Sequence, residues 1–179
     1  PAIVHTIHGL PFHPYQSRLK NRVYIEMESR AAKKCDAIVC VADAMRDQAL
    51  AEGIGRREQY VTIRSGMDTD SFLNERTDRQ EWRSRFGFSE DDFVVGTVAR
   101  LAELKGHGDL LDALSEELKN DENLKLLWVG DGFQGERIRA KIHSLGLQGS
   151  IIEAGRCNPD DVPAIMYSID LLAHPSWRE

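Results

Sequence analysis

Cysteine, proline and aromatic side chains are sparse in this chain of 179 residues, with three Cys, six Pro and 7% Phe, Trp and Tyr. Three cysteines make an odd number without metal-type spacing, and Cys35 and Cys40 flank or lie in an apolar stretch. A disulfide framework and a zinc site are therefore not expected; buried free thiols in a reducing cytosol are. No apolar run approaches the ~20 residues needed to span a bilayer, and no signal peptide is expected before the first apolar stretch. Hydrolase and kinase signatures are missing: there is no G-x-S-x-G elbow, no H-E-x-x-H and no G-x-x-x-x-G-K-[ST]. Positive charge is in deficit, with a net charge of −6 that argues against a general nucleic-acid binder. The deficit is uneven. Residues 1–64 carry 10 Lys and Arg against 7 Asp and Glu, and residues 65–179 carry 13 against 22. A basic part beside an acidic part fits two domains, and the basic one could face an anionic surface. The chain begins at Pro1 directly before an apolar run and stops at Glu179 just after another, so it is expected to be a fragment of a longer protein.

What is present is the ordinary material of a globular fold, 41% hydrophobic and 29% charged. The densest signal is Val94-Val95-Gly96-Thr97-Val98-Ala99-Arg100-Leu101-Ala102-Glu103-Leu104-Lys105-Gly106-His107. An apolar, β-branched run reads as a buried strand and breaks into a short loop with two cations five residues apart. The loop feeds a helix over 109–119 whose Leu110, Leu111, Leu114 and Leu118 share one face. Two cations at the carboxyl end of a strand, beside the free N–H groups of a helix start, suit a diphosphate.

The rest of the chain repeats that alternation. In the first part, strands are expected at Ala2–Thr6, Asp36–Val41 and Tyr60–Ile63, with helices at Arg18–Lys34 and from an Asp43 cap to about Glu52. From Asp68 to Ser89 the pattern loosens around a short helix at Gln80–Arg85. Beyond it, strands at 93–98, 124–129, 150–153 and 170–173 alternate with helices at 109–119, 134–145 and 159–168. Such spacing means right-handed βαβ units and a parallel, doubly wound α/β sheet. Ligands of such sheets sit at the carboxyl ends of the strands, here Arg100–Lys105, Gly130–Asp131, Gly155–Asp160 and His174–Glu179.

Gly130-Asp131-Gly132-Phe133-Gln134-Gly135 is a literal G-x-G-x-x-G, with Glu153 where a ribose-binding acid would stand, and by itself points to an NAD(P)-dependent oxidoreductase. It follows the second strand of its domain, however, and Asp131 would set a carboxylate against a pyrophosphate; tight turn geometry is the simpler account. His5, His8 and His13 cluster near the start, but His13 lies beyond Pro11 and no converging metal geometry is expected. His8-Gly9, at a strand end, is placed to contact a ligand. Asp91-Asp92 and Asp160-Asp161 fit solvated turn and helix-start roles.

Six segments, in order, carry a resemblance. They are Thr6-Ile7-His8-Gly9 (T-x-H-G), Ala37 to Met45 (D-x-I-x-x-V-S-x-x-M), Arg64-Ser65-Gly66-Met67-Asp68 with Phe72 (P-N-G-V-D-x-x-x-F), Gly96 to Gly106 (G-x-x-x-R-L-x-x-x-K-G), Val129 to Gly132 (V-G-D-G) and Pro175 to Glu179 (P-S-x-x-E). Over its whole length the chain resembles the retaining GT-B glycosyltransferases of the glycosyl transferase group 1 type, relatives of bacterial mannosyl- and glucosyltransferases. Ser65 replaces the usual Asn, and the amino-terminal Gly-rich loop and the second Glu of E-x7-E are lacking. The resemblance implies a GT-B-type α/β fold: residues 1–72 as the carboxyl-terminal part of a Rossmann-like acceptor-side domain, 73–92 as a linker with a short helix, and 93–179 as a truncated donor-binding domain. It implies sugar transfer, with retention, from a nucleotide-diphosphate-sugar to an acceptor hydroxyl, in cell-envelope polysaccharide synthesis. Arg100 and Lys105 would hold the diphosphate, His8 and Gly9 lie near the transferred sugar, the main chain at Cys157 meets the base, and Glu179 contacts sugar hydroxyls. No cofactor is implied, because the nucleotide-sugar is a substrate, and no metal. The implied partners are that donor and a saccharide or lipid-linked acceptor, not nucleic acid. The implied location is cytoplasmic, with room for peripheral membrane contact through an amino-terminal half, and the fragment alone would be inactive. A non-catalytic nucleotide-binding module is the remaining alternative.

Overall fold

Apolar runs become parallel strands in both halves of the chain, and most successive strands are joined by a helix. The computed structural model describes residues 1–73 and 77–178. They divide into two units, Pro1–Met67 and Asp68–Glu179.

In the first unit, β1 (Val4–Ile7), β2 (Ala37–Cys40) and β3 (Tyr60–Thr62) form a parallel sheet in the order β1-β2-β3. The helices α1 (Arg18–Ala32) and α2 (Asp43–Ala51) connect them. Ile7, Ile38, Cys40 and Tyr60 point to one face and bury with Leu10, Phe12, Ala32 and Ala49. The buried Gln59 amide donates to the Ala32 and Cys35 carbonyls at 3.1 and 2.7 Å, locking the end of α1 to the start of β3. Val4, Val61 and Ile63 face the other way and remain 59, 49 and 57% exposed. Two expectations are corrected. The cap of α2 is the extended Ala42, which offers no side-chain acceptor; Asp43 is the first helical residue, accepting instead from the Thr62 hydroxyl at 2.7 Å and the Arg46 guanidinium at 2.8 Å. β1 starts at Val4, not Ala2, since β2 gives it partners only from Ala37 onward.

The second unit opens with α3 (Asp70–Leu73) and α4 (Arg79–Arg85). Four parallel strands follow, β4 (Phe93–Val98), β5 (Leu124–Val129), β6 (Ile151–Gly155) and β7 (Leu171–Leu172), in the order β6-β5-β4-β7. Helices α5 (His107–Asn120) and α6 (Gly135–Leu145) cover one face through Leu111, Leu118, Ile138 and Ile142 on Val95, Leu126 and Trp128. α4 and α7 (Val162–Ser168) cover the other, with Trp82, Ala164 and Ile165 on Val94, Leu127 and Val129. Burial on both faces is why the strands read as continuous apolar runs. This is the doubly wound α/β architecture expected.

The stretch 73–92, expected as linker and short helix, contributes to this core: Trp82 is buried and Arg83 is 3% exposed. The Arg83 guanidinium donates to the Ser89 carbonyl at 3.0 and 3.2 Å, to those of Ser168 (3.2 Å) and Asp92, and to the Asp170 carboxylate at 3.2 Å. Asp170 also accepts from Arg79 and, at 2.7 Å, from the Val94 N–H. The expected helix 159–168 is a 3-10 turn, Pro159–Asp161, leading into α7. Among the described residues, no helix is long and apolar enough to cross a membrane.

His107 opens α5 in the core, 1% exposed, with its ring edge-on to Trp128 at 5.3 Å. Neither ring nitrogen has a hydrogen-bond partner. Burial, with the nearby Lys105 charge, pushes its pKa below the ordinary value. A histidine held neutral in the fold but free to protonate when unfolded adds stability that is complete above about pH 6.5 and is lost as pH falls through the folded-state pKa. In that window the slope approaches ~1.4 kcal/mol per pH unit. His107→Phe, which keeps the edge-on stack, is expected to flatten it. Urea unfolding at neutral pH and below pH 6 reads this, and an identical pH dependence in the variant would refute it.

Candidate functional site

The order β6-β5-β4-β7 reverses direction between β4 and β7, and a crevice opens outside the carboxyl ends of two such strands. The loop after β4 carries Arg100 and Lys105; the chain after β7 carries His174 to Trp177. Gly96 makes this junction tight, since a Cβ there would lie 2.6 Å from the Ile169 side chain.

The two loops are bonded to each other. The Leu104 carbonyl accepts from the Trp177 N–H at 2.9 Å and from the Ser176 hydroxyl at 3.2 Å. The Trp177 indole donates to Asp109 in the first turn of α5 at 2.5 Å. Between them Gly106, with φ +69°, lies so close to the Pro175 carbonyl that a Cβ would fall 2.1 Å from its oxygen. Lys105 ends the 3-10 turn Glu103–Lys105 and is half-buried, while Arg100 is exposed on the loop leaving β4. Glu179 lies outside the described residues.

The glycine-rich turn after β5 supports this loop. A Cβ on Gly130 would lie 2.1 Å from the Ala99 oxygen, and one on Gly132 would lie 2.3 Å from the Leu101 oxygen. Leu101 N–H bonds the Asp131 carbonyl at 3.1 Å, and Gln134 N–H bonds the Leu101 carbonyl at 3.1 Å. Asp131 turns its carboxylate onto the Gly132 N–H at 2.7 Å, a donor that a pyrophosphate would need. Glu153, where a ribose-binding acid was expected, pairs with Arg139 at 2.9 Å. The G-x-G-x-x-G serves close approach of the Arg100 loop, and the dinucleotide reading is not favoured.

Beyond β6, Gly155 takes φ +68° and its carbonyl accepts from Gly130 N–H at 2.8 Å, joining a third strand-end loop to the first two. Cys157 turns its side chain into the core formed by Trp82, Val94 and Ile165. Its main chain stays at the edge beside Asn158, whose side chain accepts from the Asp160 N–H at 3.2 Å. In the first unit, His8 and Gly9 follow β1 and are exposed, with open space around Gly9. The other amino-terminal histidines do not join His8: His5 meets Glu28 at 3.3 Å, and His13 is held through its main chain by Asn21 at 2.8 and 3.0 Å. Among the described residues no group of three or more His, Cys, Asp or Glu side chains could hold a metal ion.

The structure thus brings Arg100, Lys105 and the Cys157 main chain to one sheet edge, and sets His8 and Gly9 on the corresponding edge of the other sheet. Sequence reasoning missed the Trp177–Asp109 bond, which spans 68 residues, and the Gly106–Pro175 contact. Only the glycine beside a cation hinted at the second.

Comparison with known proteins agrees with this geometry. Residues 1–71 match the family model described as Glycosyltransferase Family 4, and residues 78–179 that described as Glycosyl transferases group 1. The chain is 24% identical over 164 residues to the 2-deoxystreptamine glucosyltransferase of Streptomyces kanamyceticus, covering 90% of this chain and 42% of that one. It is 28% identical over 140 residues to the GDP-mannose-dependent alpha-(1-6)-phosphatidylinositol monomannoside mannosyltransferase of Mycobacterium tuberculosis, covering 78% and 36%. The fold superposes on HepE of Anabaena, solved in complex with UDP and glucose, with a TM-score of 0.79 and 27% identity, covering 98% of this chain and 46% of HepE. The chain spans less than half the length of each of these three proteins. With the group 1 model covering more than half of the chain, including the whole Arg100–Lys105 loop, the protein belongs to the glycosyl transferases group 1 family.

Proposed function

We propose that the chain is part of a retaining glycosyltransferase that moves a sugar from a nucleotide-diphosphate donor to a hydroxyl of a saccharide or lipid-linked acceptor. The observation that carries this reading is the position of Arg100 and Lys105 on the loop after β4, where strand order reverses. When the bond from the sugar to the diphosphate breaks, negative charge builds on the departing phosphate. Two cations set by the Leu104 and Leu101 backbone bonds, with the amino-terminal dipole of α5 beside them, meet that charge without reorganising. No carboxylate on the described loops is placed as a nucleophile, so no covalent sugar–enzyme intermediate is invoked. The Cys157 main chain would meet the base, Glu179 the donor-sugar hydroxyls, and His8 and Gly9 the transferred sugar. The chain by itself would bind nucleotide without turning over. Support comes from relatives named for glucosyl and mannosyl transfer and from HepE, solved with UDP and glucose.

Calorimetry tests the reading. The chain is expected to bind UDP or GDP weakly and NAD no better. Arg100→Ala combined with Lys105→Ala removes two charge-assisted contacts of ~1.5–3 kcal/mol each, a loss of at least about 100-fold. NAD binding that is tight and survives the double substitution would establish a dinucleotide site instead.

A further inference from the structure

One residue grips the chain on both sides of Lys105. The turn that carries this cation is short and weakly closed from within. Lys105 N–H bonds the Ala102 carbonyl at 3.0 Å, and Gly106 N–H reaches the Glu103 carbonyl only at 3.4 Å. A single 3-10 turn has poor hydrogen-bond geometry and holds its shape only with outside support. That support comes from the segment after β7. Ser176 supplies little of it, because its one hydroxyl proton is divided between the Leu104 carbonyl at 3.2 Å and the Arg178 carbonyl at 3.1 Å. Trp177 has two separate donors and directs them to opposite flanks of the cation. Its main-chain N–H bonds the Leu104 carbonyl, immediately before Lys105, at 2.9 Å. Its indole N–H bonds the Asp109 carboxylate, in the first turn of α5 beyond Lys105, at 2.5 Å. The second bond is charge-assisted, and a carboxylate is favoured at a helix amino terminus. Trp177 is 48% exposed and Asp109 is exposed, so the bond adds little to the stability of the core.

We propose that Asp109 and Trp177 are positioning residues of the donor site, acting through Lys105 without touching the nucleotide. The indole–carboxylate bond fixes the start of α5 against the segment after β7, and the main-chain bond fixes the turn between them. Without the indole bond the turn keeps its hold at Leu104 but gains freedom on the helix side. The Lys105 ammonium then has to be ordered when the diphosphate binds, and that cost is taken from its contact. The inference rests on the donor-site reading, in which Lys105 holds the diphosphate.

Titration with the tighter-binding of UDP and GDP, followed on the NMR signals of the nucleotide, reads the effect. Lys105→Ala is expected to weaken binding at least about tenfold. Trp177→Phe, which keeps an aromatic ring without the N–H donor, and Asp109→Ala should each weaken it about three- to tenfold, and together no more than either alone. Asp109→Asn, which keeps an acceptor oxygen, should recover most of the loss. In a Lys105→Ala background neither Trp177→Phe nor Asp109→Ala should weaken binding further, a coupling that a general loss of stability does not produce. Both side chains are exposed, so circular dichroism of the variants should match the parent. Binding of neither nucleotide, or binding unchanged by Lys105→Ala, would overturn the donor-site reading and this inference with it. A loss in Lys105→Ala alone, or losses that add to it, would overturn the inference and leave the donor site standing. So would a loss in Trp177→Phe that Asp109→Ala does not share, since the indole would then touch the nucleotide itself.

Discussion

Lys105→Ala in the complete enzyme is expected to lose about 10²–10³-fold in turnover, the cost found when one preorganised electrostatic partner is removed from a reaction centre. The loss should fall on kcat as well as kcat/KM, because the charge that Lys105 is proposed to meet is greatest as the sugar–phosphate bond breaks. Activity should persist in EDTA. Among the described residues no group of three or more His, Cys, Asp or Glu side chains could hold a metal ion, so charge compensation is assigned to the cations. Activity abolished by EDTA and restored by manganese or magnesium, with a nearly active Lys105→Ala, would reassign it.

Asp170→Ala is expected to destabilise the second unit by ~3–5 kcal/mol, a large share of what a domain of this size has. The substitution strands the Arg83 guanidinium, 3% exposed, without its counter-charge and leaves the Val94 N–H without its acceptor. Burial alone would raise the Asp170 pKa, but the Val94 N–H and the Arg79 and Arg83 guanidiniums outweigh it and hold it below the ordinary value. The carboxylate therefore contributes fully above about pH 4 and loses its contribution as pH falls through its folded-state pKa. Equilibrium denaturation distinguishes this from a surface pair: a Glu116→Ala control, whose partner Lys119 is 41% exposed, should change stability by less than about 1 kcal/mol.

How much of this was legible in the sequence depended on how local the cause was. β4 and β5 fall on the expected residues because four successive residues of each, Val94–Thr97 and Leu126–Val129, are buried, which makes the strand a continuous signal in the sequence. Arg100 and Lys105 were readable for the same reason: a strand end and a helix start fix the loop between them. β7 is shorter than expected, Leu171–Leu172, because its pairing is set by β4, 76 residues away. Asp170 reads as a polar residue opening a strand; nothing nearby announces that Arg79 and Arg83 will share it. The glycines of 130–135 were ambiguous because a turn that admits a phosphate and a turn that admits another backbone need the same absence of a Cβ. Only the Ala99 and Leu101 oxygens against Gly130 and Gly132 decide between them.

The Leu104 carbonyl has a consequence for altering donor choice. It is shared by Trp177 and Ser176, and beside it Gly106 abuts Pro175, so the segment after β7 and the turn that carries Lys105 form a single mechanical part. Libraries that vary residues 174–178 to change which sugar is accepted would at the same time shift a cation proposed to hold every donor by its phosphates. In the proposed donor site, selectivity and affinity would therefore be coupled. Variants picked for a new sugar would tend to lose the old nucleotide grip, unless Pro175 and the backbone at Trp177 are left as they are.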